Sequence, residues 1–132
     1  MRTQWTIEIA KALPSYNTYE KMHKWAKKKL KDDWYLIVME AVHGLTFKKI
    51  PTPCTLRVTV YHKLQRQRDI LNVGTTADKL VLDALTRPKP PKTRGLGILP
   101  DDDSRSIKEV TLSLKKGEAD ATILVFRRYH GN

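Results

Sequence analysis

The stretch CTLRVTVYH, residues 54–62, decides the fold around which the rest of the chain is arranged. Its apolar residues Leu56, Val58 and Val60 alternate with polar ones, and this period of two predicts a β-strand with one buried face. Two prolines just before the stretch favour a turn. We therefore expect a strand here that runs on towards Asp69.

The residues upstream of this strand predict one more strand and one long helix. WTIEI, residues 5–9, alternates in the same way. From residue 19 to residue 42 the apolar residues recur at spacings of three and four, which is typical of an amphipathic helix, and His43-Gly44 supplies a stop. Trp25 and Trp34 share the apolar spacing, so we expect both in the core, and we expect His23 to be half-buried. The polar face carries lysines that either follow a nucleic-acid backbone or are merely solvated: Lys24, Lys27, Lys28 and Lys31.

Downstream, residues 76–85 predict a short helix capped by Thr75 or Thr76. Residues 86–96, TRPKPPKTRGL, hold three prolines and four basic residues and predict a mobile basic loop. The alternating segment from residue 110, the turn KKGE and the segment ATILVFRRY predict a C-terminal β-hairpin. The order is β-α-β-α-β-β, so the fold class is α+β, with a mixed, mostly antiparallel sheet of about four strands and two helices.

Composition limits the class of protein. The 132 residues are enough for a single small domain, residues 1–132. One cysteine, Cys54, cannot form an internal disulfide and is expected as an inert side chain on a strand. No run of about 18 apolar residues occurs and the N-terminus lacks a secretory signal, so we expect a soluble, cytoplasmic protein without a membrane partner.

Charge is distributed unevenly along the chain. The net charge is +11, from 25 Lys and Arg against 14 Asp and Glu, which is typical of a protein that binds a polyanion. Residues 69–103 nevertheless contain six acids, all of them aspartate. A single surface aspartate usually caps a helix or a turn, but six on a surface that approaches phosphates would repel them unless a cation lies between. A divalent metal is the natural mediator.

These residues resemble the RusA-type Holliday junction resolvases over nearly the whole chain. The hallmark of that family is D-x-D-N, then a helical lysine, D-x-L, and a glycine-led turn with paired aspartates. Asp69 and Asn72 match the first element, Lys79 matches the lysine, and residues 83–85 match D-x-L. GILPDDDSRSI, residues 97–107, resembles the turn, with Asp102 and Asp103 as its pair and Asp101 as an alternative shifted by one residue. Near the N-terminus, Pro14, Ser15, Asn17 and HKWAKK resemble further positions of phage members.

Two departures from the family pattern bear on catalysis. Leu71 stands where the second aspartate of D-x-D-N is expected, and the spacing from Asn72 to Lys79 is longer than in the best-known members. A leucine offers no oxygen to a hard cation. Asp78 either supplies the missing carboxylate or is an ordinary aspartate of a first helical turn. The site is therefore either rebuilt or degenerate.

The resemblance implies a homodimeric endonuclease that cuts branched DNA, in a bacterial or phage-infected cell. It implies Mg²⁺, or Mn²⁺ in its place, held by Asp69, Asp102 and Asp103, and no small-molecule cofactor. Lys79 would face the scissile phosphate and Asn72 would orient a ligand or a water. Phosphate contacts independent of sequence would come from the lysine helix and from the loop residues Lys89, Lys92 and Arg94.

Two other functions remain open on the sequence. A branched-DNA-binding protein of the same fold with a decayed site is favoured by Leu71. A basic RNA-binding module is a weaker alternative because it leaves the aspartate-rich turn unexplained. The four histidines lie in different predicted elements, and no nucleophilic triad or glycine-rich phosphate loop is present.

Overall fold

The strand at residues 54–62 is an interior strand of the sheet. The computed structural model describes residues 3–63, 70–88, 94–101 and 103–130, and the backbone alone for residues 70–72. Its four-stranded sheet has the order β1-β4-β2-β3. The strands are β1 (Gln4–Ile9), β2 (Cys54–His62), β3 (Ile107–Lys116) and β4 (Ala121–Arg128). β4 is antiparallel to β1 and β2, while β3 is parallel to β2, so the mixed, mostly antiparallel α+β fold is confirmed.

The predicted C-terminal β-hairpin is wrong. A short turn joins β3 to β4, but β2 lies between the two strands. The turn crosses the end of β2, where Gly117 N donates to His62 O at 3.0 Å. Alternation and a turn signal predict two strands and a reversal of direction, yet they leave the pairing partner open. Burial decides it: β2 is mostly buried and takes an interior place, whereas most of β3 is exposed and lies at the edge.

The predicted helix at residues 19–42 is two helices, α1 (Tyr16–Glu20) and α2 (Lys24–His43). They are separated because His23 is extended, with φ −61° and ψ 151°, and caps α2 by accepting a hydrogen bond from Trp25 N on its Nδ1 at 3.3 Å. His23 is exposed, so the expectation of a half-buried histidine is wrong. The helix end at His43-Gly44 is confirmed.

The second helical region is longer than the sequence predicts. It comprises α3 (Ile70–Thr76), a π-helical segment (Ala77–Leu82) and α4 (Asp83–Leu85). Thr76 is not the expected N-cap, because it lies inside this region and its Oγ1 donates to Val73 O at 2.9 Å and to Pro14 O at 2.6 Å. A threonine hydroxyl bonded back to its own helix is a common alternative to capping.

One core lies between the helices and one face of the sheet. It joins Trp34 and Val38 of α2 and Leu80 and Leu85 of the second helical region to the inward side chains of the strands, including Phe126. Cys54 belongs to this core, and burial raises the pKa of its thiol to about 11, which makes it unreactive at neutral pH. None of the helices in the described part of the chain is long and apolar enough to cross a bilayer.

The predicted basic loop is pinned at both of its described ends. Thr86 forms an isolated parallel bridge with Leu99, and Leu96 N donates to Ala84 O at 2.8 Å. Residues 94–97 are neither helix nor strand, as expected. Lys89 and Lys92 lie outside the described residues.

Candidate functional site

The acidic turn, residues 101–105, comes just before β3. Asp103 accepts three hydrogen bonds from Arg105: from the backbone N at 2.9 Å on Oδ1, and from Nε at 3.0 Å and Nη2 at 2.7 Å on Oδ2. The same Nη2 lies 4.0 Å from Asp101 Oδ2. These hydrogen bonds from Arg105 hold the pKa of Asp103 below its ordinary value. Two carboxylates of the turn therefore share one cationic group.

The acidic turn fits part of the metal site that the resemblance implies. Carboxylate oxygens are the donors that Mg²⁺ and Mn²⁺ prefer. Arg105 Nη2 marks a position where a single positive centre meets both Asp101 and Asp103. Within residues 3–63, 70–88, 94–101 and 103–130, no three acidic, histidine or cysteine side chains come together as a metal site. Asp69 and Asp102, two of the expected ligands, lie outside those ranges.

The end of β2 and the start of β3 lie at opposite ends of the sheet. Parallel pairing places Cys54 beside Ile107 and His62 beside Lys116. The end of β2, from which the chain runs on towards Asp69, is thus at the opposite end of the sheet from the start of β3.

The π-helical segment carries both Lys79 and Asp78, and both are exposed. A π-helical turn holds more residues than an α-helical turn, so the segment accommodates a longer spacing without breaking the helix. This is the part of the chain where the spacing from Asn72 to Lys79 exceeds the family pattern. Asn72 lies in the first turn of α3. For Asn72 and Leu71 the structure describes the backbone alone.

A cleft of about 710 Å³ separates this helical region from β3. Its walls are mostly apolar and include Val58, Val110 and Leu112, and Asp78 is the one ionisable residue among the described residues that line it. Gly74 makes the close approach possible, because a Cβ at this position would lie 2.7 Å from Leu112 Cδ1. Asp78 is thereby placed at the mouth of an apolar cleft on the edge-strand side of the sheet.

The two segments that carry the resemblance touch each other. Ser15 caps α1 by accepting a hydrogen bond from Thr18 N at 3.2 Å on its Oγ. The neighbouring Pro14 accepts the hydrogen bond from Thr76 Oγ1. The Pro-Ser element near the N-terminus therefore fixes the position of the helical region that carries Lys79.

The lysines of α2 differ in whether their ammonium groups form ion pairs, contact aromatic rings or do neither. Lys28 pairs with Asp32 at 3.2 Å and Lys29 pairs with Asp33 at 3.0 Å, both exposed and one helical turn apart. Lys27 Nζ lies 5.4 Å from the centre of the Tyr19 ring, and Lys24 Nζ lies 5.4 Å from that of the Trp25 ring. Lys31 is exposed and makes no ion pair with any described residue.

Arg94 is anchored to α2. Its guanidinium pairs with Asp32 and stacks 4.4 Å from the centre of the Tyr35 ring. Hydrogen bonds from Lys28 and Arg94 hold the pKa of Asp32 below its ordinary value. A phosphate contact by Arg94 would have to replace this pair, whereas Lys24 and Lys31 have no such competitor among the described residues.

Two side chains were missed by the sequence reasoning. Arg105 was given no role, although a basic residue two positions after an aspartate is a usable signal for a local pair. Trp25 was expected in the core but is 66% exposed, whereas Trp34 is fully buried as predicted. Trp25 lies in the first turn of α2, whereas the buried residues of α2 lie further along the helix, at Trp34 and Val38. Apolar spacing alone does not show which turns of a helix contact the sheet.

A comparison with models of known protein families found no match to this chain, and a comparison with curated protein sequences found none.

Proposed function

We propose that this protein is a metal-dependent endonuclease that cuts branched DNA such as a Holliday junction. The observation that supports the proposal best is the pair of carboxylates, Asp101 and Asp103, that meet at one cationic group in a chain of net charge +11. A phosphodiesterase has a use for two neighbouring carboxylates, since hydrolysis requires hard cations held beside an anionic substrate.

In this proposal each residue has a defined task. Asp69, Asp102 and Asp103, with Asp101 as the alternative to Asp102, would hold Mg²⁺ or Mn²⁺. The bound metal would polarise the phosphate and lower the pKa of a water. Lys79 is exposed on the π-helical segment and would place a fixed charge against the scissile phosphate. Asn72 would orient the water or a ligand.

Arg105 sets a condition on this chemistry. Its guanidinium makes the hydrogen bonds to Asp103 that a metal would replace. Metal binding therefore requires the side chain of Arg105 to move, and because this side chain is largely exposed it has room to do so. Once released, Arg105 would offer a further cation to the DNA backbone.

The second candidate is a binding protein of the same fold that no longer cuts. Leu71 favours it, because an expected ligand is absent, and the Asp103–Arg105 pair favours it too, because this pair satisfies the carboxylate without metal. Asp78, at the mouth of the cleft beside β3, is the carboxylate whose position makes it the substitute to test.

The dimer that the resemblance implies has a suitable surface on β3. Among the described residues β3 pairs with a strand on one side only, and Val110 is 53% exposed. If two copies pair antiparallel about Leu112, Val110 of one faces Leu114 of the other and Glu109 faces Lys115. Apolar and opposite-charge pairs of this kind stabilise a shared sheet, while Lys108 opposite Lys116 at each end opposes it.

This surface predicts that Val110→Lys converts a dimer to a monomer, which sedimentation velocity measures directly. Thr111→Lys on the opposite face of the strand is the matched control, since it adds the same charge without entering the apolar set. An unchanged dimer in Val110→Lys would place the interface elsewhere.

The cleavage proposal is tested with a labelled four-way junction and with Mg²⁺, Mn²⁺ or EDTA, on native and denaturing gels in parallel. We expect symmetric nicks that need metal and that disappear in Asp69→Asn. Glu118→Gln, an exposed acid in the β3–β4 turn, is the control and should cut normally. A shifted but intact junction with every metal would favour the binding protein, and equal binding of structured RNA would favour the RNA module.

A further inference from the structure

Trp25 is exposed in a way that the fold does not require. The other two tryptophans, Trp5 and Trp34, are 6% and 0% exposed, whereas Trp25 is 66% exposed. A tryptophan is the largest apolar side chain, and leaving it in water forgoes most of the stabilisation that its burial provides. Its ring therefore contributes little to the core and is available to a ligand.

The surface around Trp25 is cationic. Lys24 Nζ lies 5.4 Å from the centre of its ring. Lys28 and Lys29 lie three and four residues after it in α2, positions that neighbour residue 25 on a helical surface. Between residues 18 and 31 the sequence contains six lysines and a single acid, Glu20. An anionic ligand with flat aromatic groups matches this chemistry.

The charge pattern argues against a lipid surface as the ligand. Leu36 and Met39 are also exposed on α2, but Leu36 lies about 16 Å along the helix axis from Trp25. The ion pairs Lys28–Asp32 and Lys29–Asp33 lie between them. Helices that lie in a membrane interface carry a continuous apolar face, and the apolar face of α2 is covered by the sheet instead.

We propose that Trp25 stacks on an unpaired base of a nucleic-acid single strand while Lys24 and its neighbours contact the flanking phosphates. Stacking on an aromatic ring is tolerant of base identity, and lysine contacts to phosphate are independent of sequence. The site deepens the proposed function, since it would hold a base released near a branch point, yet it operates without metal and without the acidic turn.

Trp25 also supplies the readout, because the other two tryptophans are buried. The protein is titrated with an oligothymidylate of about 12 nucleotides, and with a duplex of equal length, while tryptophan emission is followed. Saturable quenching by the single strand should be absent in Trp25→Phe, whose remaining emission comes from the buried rings. Trp25→Ala should weaken single-strand binding by about 5-fold to 100-fold, measured by fluorescence anisotropy of labelled DNA.

Leu36→Ala is the matched control, because it removes another exposed apolar side chain from the same helix and should leave binding unchanged. Equal affinity of Trp25→Ala and wild type, or equal quenching in Trp25→Phe, would overturn the proposal. So would a blue shift with anionic vesicles and no response to DNA, since that result would assign Trp25 to a lipid surface.

Measuring junction cleavage by the same variants distinguishes a failure of the stacking-site proposal from a failure of the nuclease proposal. If the wild type quenches with single strands but never cuts, the stacking site stands and the nuclease fails. If it cuts while Trp25→Ala retains full single-strand affinity, the nuclease stands and the stacking site fails.

Discussion

The acidic turn and helix α2 deal with concentrated charge in opposite ways. In the turn, the guanidinium of Arg105 lies within 4.0 Å of two carboxylates, those of Asp101 and Asp103. On α2, Asp32 and Asp33 each take one lysine, and further lysines remain. The difference teaches that charge of one sign is concentrated locally: carboxylates gather in the turn, and lysines outnumber acids along the helix.

The rate of junction cleavage should differ most between a substitution in the acidic turn and one in α2. Asp103→Asn retains the size of the side chain but removes a metal ligand, so we expect junction cleavage to fall by about 100-fold or more, with the junction still bound. Lys31→Ala, a loss of one charge on α2, should cost less than about 10-fold, because backbone contacts are many and individually weak. Single-turnover rates measure both changes, and equal losses would remove the acidic turn from catalysis.

The segment at residues 94–97, which precedes the acidic turn and contacts α2 through Arg94, should affect mainly the free energy of unfolding. A Cβ on Gly95 would overlap the carbonyl oxygen of Thr86, a backbone atom that cannot turn aside. We expect Gly95→Ala to lower the free energy of unfolding by about 1–3 kcal/mol, as overpacking does elsewhere. Gly44→Ala is the control, since nothing lies within 4 Å of a Cβ there. Thermal and urea melts compare them, and equal stability would contradict the tight approach.

Salt dependence should distinguish the lysines of α2 from exposed lysines elsewhere on the surface. The double variant Lys24→Ala/Lys31→Ala should reduce the slope of log affinity against log salt by about 2, since each phosphate contact contributes about 0.9. Lys48→Ala/Lys49→Ala removes the same charge from the loop after α2 and should leave the slope nearly unchanged. Titrations at several salt concentrations give both slopes, and equal reductions would mean that the DNA path is not specific to α2.

The smallest effect concerns the titration of Asp103. Arg105 lowers the pKa of this carboxyl, so Arg105→Gln should return it towards its ordinary value, which carboxyl NMR resolves. Because the folded pKa is depressed, the pair stabilises the fold above the unfolded pKa of about 3.9, and this contribution is lost as the pH falls through the folded value. It is small because the pair is exposed to water. Arg128→Gln should leave the titration unchanged.

The sequence predicted the secondary-structure elements better than it predicted which strands pair with each other. Alternation at residues 54–62 gave β2 with its observed bounds, because alternation is a local consequence of a half-buried strand. The hairpin of β3 and β4 was wrong because pairing depends on which strand gains most by burial, and that is a comparison across the whole chain. The long helix was broken at His23 by a capping geometry that helical spacing does not encode.

The candidate site was predictable in residue type and less so in arrangement. The resemblance pointed to Asp103 and, as an alternative, to Asp101, and the structure adds Arg105 beside both carboxylates. Trp25 was placed in the core because its spacing fits the apolar stripe, but its position in the first helical turn leaves it beyond the sheet. The spacing of residues along a helix shows which face of the helix a side chain lies on. It does not show how far along the helix the neighbouring sheet extends.

The pairing of β1 with β4 has a consequence for biosynthesis. β1 has its only described strand partner in β4, and Leu13 and Thr122, which share a hydrogen bond beside these strands, are 109 residues apart. A ribosome making about 5–20 residues per second would release β1 several seconds before β4 exists. During that interval the backbone N–H and C=O groups of β1 lack the strand with which they pair, so β1 cannot complete its native pairing until β4 emerges.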